Sequence, residues 1–376
     1  MALLDRRDFL AGTAASIAVA ACAPAAGPGG DATLSGSEVW HKEWDELVAA
    51  AKQEGKLVLL TRPGAGYRRA LESFEAAFPG IELEHTSMTS VQFVPRLTQE
   101  RQAGLYALDL MVSTFGPGNR GLIDVGVMDP IGPAIFRPDV RDDAVWYGGF
   151  DDGFVDKHQK YAFGFMNARR KPVWINTNLV RDGEIKTATD LLNPKWKGKI
   201  VSADPRPAGF GATAGTVMRL ALGDDVIRRF FKDQEVLLQK DYRPMMDALI
   251  KGQYAIGFNA VSETLMDEYL QTGVGKHLKS IEVENVDHIT IANETAYLVN
   301  RAPHPNAAKL FLNWLLTKEG QKVWCDNAET NSRRLDVPVL REDLVPTPGK
   351  KYVRVDPEPF TVEIDRTQQM ALEVLN

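Results

Sequence analysis

Short apolar runs alternate along this chain with segments whose apolar residues recur at helical spacing. Over 44–53 the residues Trp44, Leu47, Val48 and Ala51 share one helical face, and Gly55 follows as a stop. Lys56-Leu57-Val58-Leu59-Leu60 is short and apolar enough for a strand buried on both faces. A loop at Pro63-Gly64-Ala65-Gly66, a helix over 67–78 broken by Pro79-Gly80, a strand over 81–88, a helix over 91–103 and a strand over 109–113 follow. The second half repeats the theme. Strands are predicted over 173–177, 199–202, 255–258, 289–291 and 295–299. Helices are predicted over 188–192, 211–222, 225–239, 242–251, 306–316 and 318–327, with Pro305 at a favoured entry position. This order predicts an α/β chain with largely parallel sheets. The proline-containing tail over 341–376 is expected to wrap the surface.

The N-terminus reads as an address. Arg6-Arg7 precedes Asp8-Phe9-Leu10, the charged start of a twin-arginine export signal. The apolar run Phe9 to Ala21 falls short of the roughly 20 residues that cross a bilayer. It ends in Val19-Ala20-Ala21-Cys22, which is similar to a lipobox, with the Cys22 thiol as the lipidation point. Residues 23–37, rich in Ala, Gly, Pro and Ser, bury too little apolar surface to order themselves and serve as a tether. The remaining chain of about 340 residues exceeds what one core sustains. Two lobes are expected: 38–170 in lobe one, 171–292 in lobe two, and 293–376 returning to lobe one and ending in the tail.

The net charge of −6 comes without a basic cluster, so nucleic acid is not an expected partner. With Cys22 lipidated, only Cys325 remains, and no internal disulfide forms. The histidines lack metal-ligand spacing, and neither a Gly-x-Ser-x-Gly elbow nor an HExxH motif occurs. A monomeric, non-enzymatic protein without a cofactor is expected.

Four stretches carry a resemblance: WDELVAAAKQEGKLVLL from Trp44, FEAAFPGIELEH from Phe74, DLLNPKWKGKIVSADP from Asp190 and APHPNAAKLFLNWLLTKEGQKVW from Ala302. In this order they resemble the periplasmic solute-binding proteins of ABC importers, extracellular solute-binding family 1, in the group that holds ferric-iron, thiamine and 2-aminoethylphosphonate binders. The resemblance implies an α/β, two-lobed periplasmic-binding-protein fold (type II-like), with a ligand cleft between lobes joined by hinge strands. It also implies a small-molecule ligand, a membrane permease as partner and a periplasmic location.

Ligands of open α/β sheets bind beyond the carboxyl ends of strands, so the loops there supply the candidates. After the first strand come Arg62, Gly64 and Tyr67, at a helix start that attracts anions. After the third come Ser113 and Thr114. The loop 203–213 offers Arg206, fixed between prolines as a fork for a carboxylate or phosphonate, then Gly209, Phe210, Gly211 and Thr213. After 255–258 come Asn259, Ser262 and Glu263, where the ferric-binding relatives carry adjacent tyrosines and this chain has none. The expected ligand is a small organic anion. Ferric iron and a cation such as thiamine or a polyamine are alternatives, as is an enzyme on the same scaffold. For the address, Cys22→Ser should move the protein from the membrane to the soluble fraction. An unlipidated mature wild-type protein, seen by mass spectrometry, would contradict the anchor.

Overall fold

In the computed structural model, which describes residues 36–207, 211–347 and 349–375, the apolar runs become the strands of separate sheets. The chain forms β1 (Lys56–Thr61), β2 (Glu82–Ser87), β3 (Leu110–Ser113), β4 (Met128–Asp129) and β5 (Phe163–Gly164). It passes through β6 (Ala168–Arg170) into β7 (Val173–Asn176), β8 (Ile200–Ala203), β9 (Leu237–Gln239), β10 (Ile256–Phe258) and β11 (Leu278–Ile281). It returns through β12 (His288–Thr290) to β13 (Thr295–Val299), and β14 (Val353–Arg354) lies in the tail. The first lobe's sheet runs β2-β1-β3-β13-β4, with β5 also on β13; the second runs β11-β7-β10-β8-β9.

Both sheets are mixed rather than largely parallel. In lobe one β2, β1 and β3 are parallel, and the returning β13 enters antiparallel to β3. In lobe two β8 is parallel to β9 and β10, β7 runs against them, and β11 pairs antiparallel with β7 at the edge. A strand that crosses from one lobe into the other's sheet arrives from the opposite end, which sets its direction.

The continuous apolar runs follow from burial on both faces. Successive strand side chains point to opposite sides. Leu57 and Leu59 pack into one core with Phe74, Phe311 and Trp324, whereas Leu60 joins Phe93, Met111 and Tyr297 on the other. Lobe two divides likewise: Ile200 and Phe258 meet Phe230 and Phe231, and Val201 meets Met245, Met246 and Leu249.

The lobes are linked by a small sheet. β6 runs antiparallel to β12 in the register Ala168↔Thr290, Arg169↔Ile289 and Arg170↔His288, and β14 adds parallel to β12. Asp356 pins the tail there, accepting from the Thr290 hydroxyl at 2.5 Å, Ile291 N at 2.6 Å and Ala292 N at 3.2 Å.

Two further expectations need correction. The segment 225–239 is not one helix. A π-helical turn spans Arg228–Asp233, Glu235 adopts a left-handed φ of 51°, and Leu237–Gln239 pairs with β8. The run Val236-Leu237-Leu238 suits either structure alone, and the open edge of β8 decides for strand. The tail also does more than wrap the surface. Its helix Glu358–Leu375 starts with Pro359 near its N-terminus, where a missing N–H is harmless, and buries Thr367 and Ala371 against lobe two.

Glycines mark the closest helix contacts. A Cβ at Gly66 would stand 1.8 Å from the Asn327 carbonyl oxygen, so the helix Ala65–Ala77 meets the helix Lys318–Ala328 through that missing side chain. Gly121, exposed within the helix Pro117–Asp124, has open space around it. Gly66→Ala should therefore cost about 1–3 kcal/mol in chemical denaturation. Gly121→Ala should gain about 0.5–1 kcal/mol. Equal effects would refute the packing assignment.

Candidate functional site

The carboxyl ends of β1 and β3 in lobe one and of β8, β9 and β10 in lobe two feed loops on one large cleft, of about 690 Å³. Several helices start there. Gly118 and Asn119 belong to the first turn of Pro117–Asp124, and Thr213 to that of Gly211–Leu222. Tyr242 opens Tyr242–Ile250, and Ser262 is the N-cap of Glu263–Gln271. Helix starts present unpaired N–H groups and the positive end of the dipole.

Of the residues expected from the sequence, Arg62, Thr114, Thr213, Asn259 and Ser262 line this cleft. Ser262 is already engaged, accepting from Leu265 N at 3.4 Å as a cap. Asn259 takes a left-handed φ of 49° and donates to the Gly211 carbonyl at 3.4 Å, tying the two loops together. Glu263 begins its helix by backbone position. Gly209 and Phe210, like Cys22, the twin-arginine pair and most of the tether, lie outside the described residues.

Others sit elsewhere for clear reasons. Arg206 is not on the cleft wall among the described residues. Its guanidinium returns to Asp204, with Nε at 2.9 Å and Nη2 at 2.8 Å, a pair two residues apart that the intervening proline favours. Gly211 serves packing rather than ligand approach: a Cβ there would lie 2.1 Å from the Asp204 carbonyl oxygen. Ser113 is wholly buried beneath the wall. Gly64 is exposed beside the Tyr67 ring.

Tyr67 acts through Arg62. Its hydroxyl donates to Glu294 Oε1 at 2.7 Å and accepts from Arg62 Nη2 at 2.7 Å, while Arg62 also pairs with Glu294. Glu294 is 2 % exposed, so its charge is compensated chiefly by Arg62. Burial pulls the Arg62 guanidinium down, but Glu294 and Tyr67 outweigh it and hold it charged. Burial, then Glu294, pushes the Tyr67 hydroxyl well above the usual range. The pair leaves Arg62 little net charge for a ligand.

The structure adds residues that the strand–loop–helix reading missed. Arg120 is three residues into its helix. Arg170, Lys171 and His288 come from the crossing strands and their connection, and Thr361, Ile364, Asp365 and Gln368 come from the tail helix. The helical spacing of the last four was visible, but nothing local placed that face over a cleft. His288 is held near pKa 4 by burial, and the adjacent Asp287 is pushed up to about 7, again by burial, against the pull of the Val283 N–H and Arg169.

The sequence profile of the bacterial extracellular solute-binding proteins matches residues 59–322. Solved structures share the fold. The FutA (IdiA) protein of Trichodesmium, solved with iron and citrate, is 16% identical at TM-score 0.64, covering 85% of this chain and 99% of that one. The ferric binding protein of Campylobacter jejuni is 17% identical at TM-score 0.62, with 85% and 99% covered. A putative extracellular solute-binding protein of Bordetella parapertussis is 14% identical at TM-score 0.65, with 86% and 98% covered. No curated protein matches the chain. The chain belongs to the bacterial extracellular solute-binding protein family.

Asp287 and His288 give opposite pH slopes. The folded state keeps a proton on Asp287 that the unfolded chain releases above about pH 4, so this stabilisation is lost as pH rises towards 7. His288 stays neutral when folded, so its contribution is present above about 6.5 and is lost as pH falls towards 4. The stability of wild type minus that of Asp287→Asn should fall by about 1.4 kcal/mol per pH unit between pH 4.5 and 6.5. A flat difference, from urea denaturation at both pH values, would contradict the buried protonated carboxyl.

Proposed function

We propose that this family member captures a small organic anion, a carboxylate or phosphonate, between its lobes and hands it to the permease of an ABC importer. Export by the twin-arginine route and a lipid on Cys22 would keep a monomeric clamp at the outer face of the membrane, on the tether 23–37. The observation that carries the ligand class is the charge of the wall. Arg62, Arg120, Arg170 and Lys171 line the cleft against Asp356 and Asp365, with Glu294 behind Arg62. Asp356 already serves the hydroxyl and N–H groups of 290–292. The helix starts add to the same field.

Iron, with which the Trichodesmium protein was solved, is favoured less by the donors present. Hard cations want several oxygen ligands. Among the described lining residues Tyr242 is the only tyrosine, and no three His, Cys, Asp or Glu side chains among the described residues converge on a metal site. Thiamine or a polyamine would bring positive charge against the basic wall.

The test is a thermal-shift and calorimetry panel on residues 23–376 stripped of carried ligand. It would compare organic carboxylates, alkylphosphonates, thiamine, polyamines and ferric iron. A ligand at a hundred times its dissociation constant adds about 2.7 kcal/mol of stability. Carboxylates or phosphonates should produce the shift, and Arg206→Ala should bind them as wild type does. Response to iron alone, with a charge-transfer band, would overturn the anion reading. Loss of anion binding in Arg206→Ala would return that residue to the site.

A further inference from the structure

The tail helix Glu358–Leu375 lies outside the segment that matches the family profile, yet it forms part of the cleft wall. Thr361, Ile364, Asp365 and Gln368 fall on one helical face, and that face looks into the cleft. The helix is rooted in lobe two. The Thr216 hydroxyl donates to Thr367 at 2.8 Å, Arg219 Nε to Thr367 at 3.0 Å, Gln368 Nε2 to the Pro207 carbonyl at 2.7 Å, and Lys232 to the Val374 carbonyl at 2.9 Å. Arg219 also reaches Glu363, and Arg366 reaches Asp224 at 2.5 Å. A second set of contacts crosses to lobe one. Arg120 Nη1 donates to the Thr361 hydroxyl at 2.8 Å, Arg120 Nη2 faces Asp365 Oδ2 at 3.5 Å, and Lys157 N donates to Glu358 at 2.7 Å.

These two grips are unequal. The roots in lobe two are buried or hydrogen-bonded at short range. The Arg120–Asp365 contact is long, its carboxylate is half exposed, and Arg120 Nε is buried without a hydrogen-bond partner. A guanidinium in that state has donors to spare, at the start of a helix, held by a carboxylate that solvent already screens.

We propose that Arg120 is the anion-anchoring residue of the cleft and that Asp365 of the tail helix is its internal counter-ion, which an incoming carboxylate or phosphonate displaces. This rests on the anion reading above. It gives the tail helix a role in specificity. Only a ligand able to offer Arg120 better geometry than a half-exposed carboxylate, a planar fork or a tripod of oxygens, gains from the exchange. A neutral ligand, or one with a single weak acceptor, leaves the internal pair in place.

The experiment titrates citrate, succinate and methylphosphonate into wild type, Asp365→Asn and Arg120→Gln, followed by calorimetry and thermal shift at low and high salt. Asp365 is exposed enough for its amide to leave folding intact. Asp365→Asn should tighten anion binding about two- to fivefold at low salt. That gain should shrink at high salt, as a screened ion pair requires and a merely structural change does not. Arg120→Gln should weaken binding about thirtyfold or more. Equal affinity for wild type and Asp365→Asn, with anions still bound, overturns the counter-ion assignment and leaves the anion function standing. Undiminished binding by Arg120→Gln overturns the anchor in the same way. If none of the three anions binds any variant, while thiamine, a polyamine or iron binds wild type, the functional reading and this inference both fall.

Discussion

The pairing of β6 with β12 is the constraint on which the rest of the molecule depends. These two short strands carry the chain out of lobe one and back, and their antiparallel register puts Arg170 opposite His288 at the base of the cleft. The pair is braced from the tail. Asp356 takes three hydrogen bonds from residues 290–292, and Arg169 reaches Thr347, the Asp343 carbonyl and Glu282. Lys350 and Thr347 in turn hold the Glu282 carboxyl low, at about 2. The crossing is thus braced by ion pairs and backbone bonds beside the small apolar cluster of Met166, Ala168 and Leu344.

From that crossing follows the polarity of the site. The strands that enter each lobe in parallel end towards the cleft, and the helices that follow begin there. The wall therefore gains its positive character twice, from helix starts and from Arg120, Arg170 and Lys171. Arg62 shows the opposing principle. A basic residue in a ligand-facing loop contributes little when a buried carboxylate such as Glu294 stands behind it. The same holds for Arg206 with Asp204. Counting arginines in loops is thus a poor measure of a cleft's charge. What matters is how strongly the fold commits each of them to a buried carboxylate.

Most of the fold was legible because strands buried on both faces and helices with one apolar face leave strong local patterns. The helix Gly211–Leu222 falls where its pattern predicts, and β1, β3, β10 and β13 lie within a residue or so of their expected bounds. The two-residue strands β4 and β5 left no such signal, because so short a segment has no period to detect. The segment around Leu237 misled because an apolar triplet is consistent with helix and strand alike until a partner edge is offered. The candidate site was legible by half. Loops after strands are placed by local grammar, and so Thr114, Thr213 and Asn259 were found.

The sequence by itself determined the two-lobed α/β architecture, the need for two cores and several of the loops that reach the cleft, because these depend on period, length and strand–helix order. Only the tertiary structure decided which charges remain available, because pairing is a matter of three-dimensional distance. Arg62 meets a glutamate 232 positions away, and Arg120 meets a helix 241 positions along the chain. No local pattern encodes contacts of that separation, and they are what distinguish a basic wall from a neutral one.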